Sequence, residues 1–154
     1  MSLKIIAPSA LGIRGIDAHG SGEFGAPRSR GSAGASWAVQ RYEHKGVDFI
    51  VVPGQNILCP CDAWVTRYGQ AYVGDDRFGS IHLDSVDDPD FSLKLFYAQL
   101  RIDGALPVRV GAGAPFAMAQ DLRQKYSGII PHVHLEIRRL GVLVDPGSLL
   151  AEAV

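Results

Sequence analysis

From His132 to Ile137 polar and apolar residues alternate without a break: His132, Val133, His134, Leu135, Glu136, Ile137. A period of two belongs to a β-strand, whose successive side chains leave opposite faces. The run therefore puts both imidazoles and Glu136 on one face and sends Val133, Leu135 and Ile137 into a core. The rest of the chain agrees with a mainly β domain: short segments rich in β-branched and aromatic residues are separated by turn residues, and no long stretch carries a helical period. The predicted strands are Val47 to Val52, Ile57 to Cys59, Ala63 to Val73, Ser80 to Asp84, Leu93 to Leu100, Ala114 to Met118 and His132 to Arg138. Helical pieces are expected only at Asp121 to Tyr126 and in the last few residues.

At 154 residues, 47% of them hydrophobic, the chain has the size and apolar content of one domain with its own core. Residues 1–154 are read as that single domain, with 1–16 a possible N-terminal extension. Fifteen basic against sixteen acidic residues leave a net charge of -1. No global field draws such a protein onto nucleic acid or an anionic membrane, so partners must be recognised locally. No apolar run approaches the roughly 18 residues of a membrane span, and Met1 to Leu11 lacks the pattern of a signal peptide. The segment Gly20 to Ser36 holds five glycines with Ser, Pro and Arg, too loop-like for a regular element and suited to rim a site. Asp84 to Asp90 reads as a solvated acidic hairpin connection. Cys59 and Cys61 lack zinc-knuckle spacing and read as small buried packing residues.

Five histidines carry most of the chemistry: His19, His44, His82, His132 and His134. Besides the paired-histidine strand there is a second cluster, His44-Lys45-Gly46-Val47-Asp48, whose glycine permits a turn just before an apolar strand. Neutral imidazole and carboxylate are ordinary zinc ligands, and three protein ligands with one open position mark a catalytic rather than a structural site. Either motif alone is weak; both in one small β domain is better evidence. His82 reads as a partly exposed strand histidine.

Taken together these motifs resemble the lysostaphin and LytM type zinc metallopeptidases, which cut peptides of bacterial peptidoglycan. The likeness is carried by Phe24 to Arg28, His44 to Asp48, the strand pair around Gly54 to Val65, Leu95 to Leu100, Val108 to Gly113, Pro131 to Ile137 and Asp145-Pro146. Within that family, Asp17 to Phe24 and Tyr126 to His134 are most similar to the leukocyte-derived chemotaxin branch, which keeps the zinc and is regarded as non-proteolytic. The resemblance implies an antiparallel sheet with long loops around a zinc groove. It makes His44, Asp48 and His134 the ligands of one zinc ion and His132 the general base that deprotonates zinc-bound water. It also exposes a departure, because Gln99 stands where the family has its second active-site histidine. A glutamine amide can donate a hydrogen bond to an oxyanion but cannot shuttle a proton. His19, beside the glycine-rich loop, is a candidate to stand in. Glu136 reads as a hydrogen-bond partner of a ligand or as solvent-facing, Arg28 as a substrate contact or a partner of Asp17, and Tyr97 as groove lining or core.

Two functional classes follow. One is a zinc endopeptidase acting on peptidoglycan, a reading favoured by the three-ligand site. The other is a non-catalytic, zinc-stabilised module that binds a glycan, peptide or protein in the same groove. Either would be expected to act outside the cytoplasm.

Overall fold

The computed structural model describes residues 3–17, 19–30 and 40–151, with the backbone alone for 28–30 and 40–42. Among the described residues twelve strands follow one another: β1 (Pro27–Arg30), β2 (Gln40–Glu43), β3 (Val47–Ile50), β4 (Asn56–Leu58), β5 (Ala63–Tyr72), β6 (Asp75–Ser85), β7 (Phe91–Phe96), β8 (Ala98–Leu100), β9 (Val108–Val110), β10 (Pro115–Ala119), β11 (His132–Arg139) and β12 (Val142–Val144). The chain is mainly β and antiparallel, as its periodicity requires. A large sheet runs in the order β12-β11-β7-β6-β5-β9, a small one in the order β4-β10-β8, and β1 pairs with β2. Strand β3 shares one edge of β11 with β12, since it pairs with residues 132–135 and β12 with 137–139.

Alternation decides which face is buried. Val133, Leu135 and Ile137 join Leu93 and Leu95 of β7, Ile81 and Leu83 of β6 and Val65 of β5 in one core. Across from them lie Ile57, Ala98, Phe116 and Ala117 from the small sheet. Burying each large apolar side chain is worth about 1.5–3 kcal/mol, which fixes the strand register, because a one-residue slip would turn these residues outward.

The predicted strand Leu93 to Leu100 is two strands in different sheets. The break is Tyr97, at φ 73°, a left-handed conformation that is uncommon outside glycine and turns the chain out of the large sheet. The turn is tied down by Tyr97 N–H to the Gly79 carbonyl at 2.8 Å and by Gln120 N–H to the Tyr97 carbonyl at 3.0 Å. Gly79 permits this crossing, since a Cβ there would meet the Ala98 carbonyl and the Tyr68 ring.

Other boundaries shift. Strand β6 begins at Asp75, five residues before the predicted start, because it continues a hairpin with β5 beyond the core. Part of the glycine-rich stretch expected to be loop, Pro27–Arg30, is strand β1 because it pairs with β2; residues 31–39 lie outside the described ones. The helix expected over Asp121 to Tyr126 is a 3-10 turn, Leu122–Gln124, capped by the Asp121 side chain. A second such turn, Pro146–Leu149, lies near the C-terminus. Among the described residues no helix is long and apolar enough to cross a membrane.

Residues 3–17 run along the domain: Leu3 and Ile5 are buried in the core, Ile5 lies beside Leu150, and Ile13 bridges to Phe49 of β3. Cys59 and Cys61 are free thiols in the core. Burial pushes them up to about 11 and about 12 respectively, so they stay protonated and pack as small apolar groups.

Candidate metal centre

The antiparallel register places His134 of β11 directly opposite Asp48 of β3, and His132 opposite Ile50. Directly opposed residues project from the same face, with Cβ atoms about 4.5–5.5 Å apart. His44 reaches the same point from the turn before β3. That turn needs Gly46, where a Cβ would strike the Leu135 carbonyl and lie 3.0 Å from His134 Cε1.

Three donor atoms converge there. His134 Nδ1 is 2.8 Å from Asp48 Oδ1 and 2.9 Å from His44 Nε2, and the third side, His44 Nε2 to Asp48 Oδ1, is 3.2 Å. Ligands held tetrahedrally at about 2.0–2.1 Å from zinc sit roughly 3.3 Å apart, so the triangle is of the right size for one ion. His44, Asp48 and His134 form a group that could hold a metal ion.

The outer atoms of the rings settle their tautomers. His44 Nδ1 faces the Glu23 carbonyl at 2.9 Å. A carbonyl only accepts, so Nδ1 carries the hydrogen and Nε2 presents a lone pair to the triangle. His134 Nε2 donates to Glu136 Oε2 at 2.9 Å, leaving Nδ1 to face inward, and Arg138 steadies that carboxylate at 3.1 Å. Burial opposes ionisation of Glu136, but the bonds from His134 and Arg138 hold its carboxyl below the ordinary value. Glu136 is thus an enclosed partner of His134 rather than a solvent-facing residue, and each imidazole has the outer acceptor that metal-binding histidines usually have. The donor set and its surroundings fit zinc.

His132 stands outside the triangle. Its Nδ1–H donates to the Ile130 carbonyl at 2.8 Å, and its Nε2 lies 3.4 Å from Asp48 Oδ2. Burial, more than any other effect, pushes its pKa down to about 4. The Tyr97 ring lies nearly perpendicular to that of His132, centroids 5.6 Å apart at 84°. Tyr97 hydrogen-bonds through its hydroxyl to Tyr72 at 3.1 Å, and Tyr126 donates to the same Tyr72 oxygen at 2.9 Å. Tyr97 packs both on Phe78 and on His132.

Among the described residues the remaining candidates contribute no atom to the donor triangle. Gln99 is exposed on β8, opposite Met118, and its side chain makes no hydrogen bond among the described residues. His19 Nε2 donates to the Ser127 carbonyl at 2.8 Å and its ring rests against Tyr126. His82 lies on β6 opposite Lys94. Arg28 pairs through its backbone with Tyr42, and its side chain lies outside the described atoms. The partner proposed for Arg28 is engaged by a different arginine, because Arg14 Nη1 lies 2.8 Å from Asp17 Oδ1. Arg14 escaped the sequence reading although it also grips Asp48 Oδ2 through Nε at 3.1 Å and Nη2 at 3.0 Å. The available signal was the spacing of Arg14 and Asp17 next to a histidine-glycine step, too common a pattern to single out.

No family model matches the chain. It is 28% identical over 131 residues to Myeloid protein 1 of Gallus gallus, an alignment covering 80% of this chain and 34% of that protein. The chain thus spans about a third of that relative's length. Among solved structures, Helicobacter pylori Csd3 superposes with a TM-score of 0.64 at 17% identity over 99% of this chain and 36% of its own. The fold is lysostaphin-like. The catalytic domain of that antimicrobial peptidase from Staphylococcus simulans matches with a TM-score of 0.56 at 16% identity, covering 82% of this chain and 86% of the domain. A zinc-containing peptidase from Vibrio cholerae matches with a TM-score of 0.57 at 16% identity, over 100% of this chain and 41% of its own. At such identities the likeness is one of architecture.

Proposed function

We propose that the chain is a metallopeptidase of the lysostaphin and LytM type that binds one zinc ion through His44 Nε2, Asp48 Oδ1 and His134 Nδ1 and hydrolyses peptide bonds of bacterial peptidoglycan outside the cytoplasm. The observation that carries this reading is the orientation of His132. Its Nδ1–H is committed to the Ile130 carbonyl, so the lone pair on Nε2 faces the Oδ2 edge of Asp48 beside the donor triangle. Zinc, when bound, supplies Lewis acidity toward a carbonyl and lowers the pKa of water. His132 is unprotonated at neutral pH, ready to accept a proton at Nε2 and return it to the leaving amine. Tyr97 fixes the plane of that ring.

A second reading, a zinc-stabilised module that binds glycan, peptide or protein without cutting it, is favoured by Gln99. That residue is exposed and supplies no proton shuttle. The similarity of Asp17 to Phe24 and Tyr126 to His134 to the chemotaxin branch supports it too.

Incubating the zinc-loaded protein with purified peptidoglycan, glycine-rich peptides and D-amino-acid-containing peptides separates the two. The enzyme reading expects released fragments, with His132→Ala slower by about 10²–10⁴-fold. No cleavage by the native protein but cleavage by Gln99→His assigns the native chain to the binding class. Metal analysis tests the site itself: one zinc per native chain and none in His134→Ala is expected, and equal zinc contents refute the ligand set.

A further inference from the structure

Arg14 is 2% exposed, and a guanidinium is enclosed this deeply only when its charge and its donors are both satisfied. Its satisfaction comes from two carboxylates and one carbonyl. Nε and Nη2 form a fork on Asp48 Oδ2, while Nη1 contacts Asp17 Oδ1 at 2.8 Å and donates to the Gly20 carbonyl at 2.9 Å. The backbone holds it there. Arg14 N–H bonds the Asp48 carbonyl, Gly22 N–H bonds the Arg14 carbonyl, and Asp48 N–H bonds the Gly22 carbonyl. Gly22 is bare because a Cβ would lie 2.6 Å from Arg14 Cβ and 2.9 Å from Asp48 Cβ.

Asp17 carries the connection onward. Its Oδ2 accepts from Ile130 N–H at 2.9 Å, and the carbonyl of the same Ile130 accepts from His132 Nδ1 at 2.8 Å. Burial opposes ionisation of Asp17, but the amides of Ile130 and His19 together with Arg14 hold its carboxyl below the ordinary range. An unbroken path therefore runs from Asp48 through Arg14, Asp17 and Ile130 to His132.

We infer that Arg14 and Asp17 are positioning residues that set the two halves of the site together. Arg14 holds Oδ2 of Asp48 so that Oδ1 is the oxygen turned to His44 and His134, and Asp17 holds the Ile130 peptide that fixes the His132 tautomer. The Asp48 half rests on the zinc reading above; the His132 half stands without it. The fork matters as well as the charge. Lysine offers a compact ammonium that cannot reproduce a planar grip on Asp48 while also reaching Asp17 and Gly20.

The test uses the full chain with Arg14→Gln, Arg14→Lys and Asp17→Ala. Long-range proton–nitrogen NMR of the chelator-treated protein reads the His132 tautomer, and competition with a chromophoric chelator reads zinc affinity. The native protein is expected to show His132 as a single Nδ1–H species. Asp17→Ala is expected to convert it to a mixture of tautomers, and Arg14→Gln to weaken zinc binding about 10–100-fold, as loss of a partner of a metal ligand does, with no rescue by Arg14→Lys. Unchanged or tighter zinc binding in a folded Arg14→Gln overturns the Asp48 half, and full rescue by lysine overturns the role of the fork. An unchanged His132 spectrum in Asp17→Ala overturns the other half, and it decides the matter if Arg14→Gln does not fold. If the native chain binds no zinc, the ligand assignment fails, while the His132 spectra still judge the link through Asp17.

Discussion

Gly46 has no room for a side chain, and its substitution is a sharp test of the site at the level of single residues. A methyl group in Gly46→Ala would press on the Leu135 carbonyl and on His134 Cε1, so the turn carrying His44 must move away from β11. The expected outcome is a loss of about 1–3 kcal/mol in urea unfolding, the usual cost of overpacking, with weakened zinc binding. His134 gives a pH dependence. Burial opposes its charge, yet hydrogen bonds to Asp48 and Glu136 outweigh that and raise its pKa above the ordinary imidazole value. Below that raised pKa the chelator-treated protein holds a proton that zinc must displace, so apparent zinc affinity should rise as pH increases through it. Titration calorimetry in buffers of different ionisation enthalpy would count the released proton; a pH-independent affinity would contradict this picture. Residue type and strand alternation marked His44, Asp48, His132 and His134 as candidates in the sequence, whereas the choice of His134 over His132 as the third donor came from the family resemblance. Arg14 was not marked, since its role depends on an approach between segments 34 residues apart that no local pattern announces.

Strands β3 and β11 make the site by register; the alternation of β11 was readable because its apolar residues fall on one face, while β3 was readable only as an apolar strand. The end of β7 was not readable. Phe96-Tyr97-Ala98 has the composition of a continuous strand, and only the tertiary bonds from Tyr97 to Gly79 and Gln120 show why the chain turns there. The aromatic group gathered at that turn yields its own prediction. Tyr97→Phe keeps the ring against His132 and removes only the hydroxyl contact with Tyr72. Chemical denaturation should register a loss of about 0.5–1.5 kcal/mol, with the His132 resonances little changed. Large shifts of those resonances would show that the hydroxyl, rather than the ring, governs the histidine.

For the whole molecule, an ion held between β3, β11 and the preceding turn is linked to folding. At a free zinc concentration one hundred times Kd the gain is about 2.7 kcal/mol, or roughly 5–10 °C in Tm for a domain of this size. Thermal melts with zinc and with a chelator should differ by that amount in the native chain and not at all in His134→Ala. The pairing of Ile5 with Leu149, Leu150 and Ala151 has a different consequence. Ile5 and residues 149–151 lie side by side, while the turn at Val73 and Gly74 between β5 and β6 projects into solvent at the far end of a hairpin. Such a circuit can be rewired: a short linker joining the ends, with new termini opened at Gly74, should yield a circular permutant that keeps every strand pair. By the same geometry, another polypeptide could carry this unit as an insertion without stretching either of its own strands of backbone.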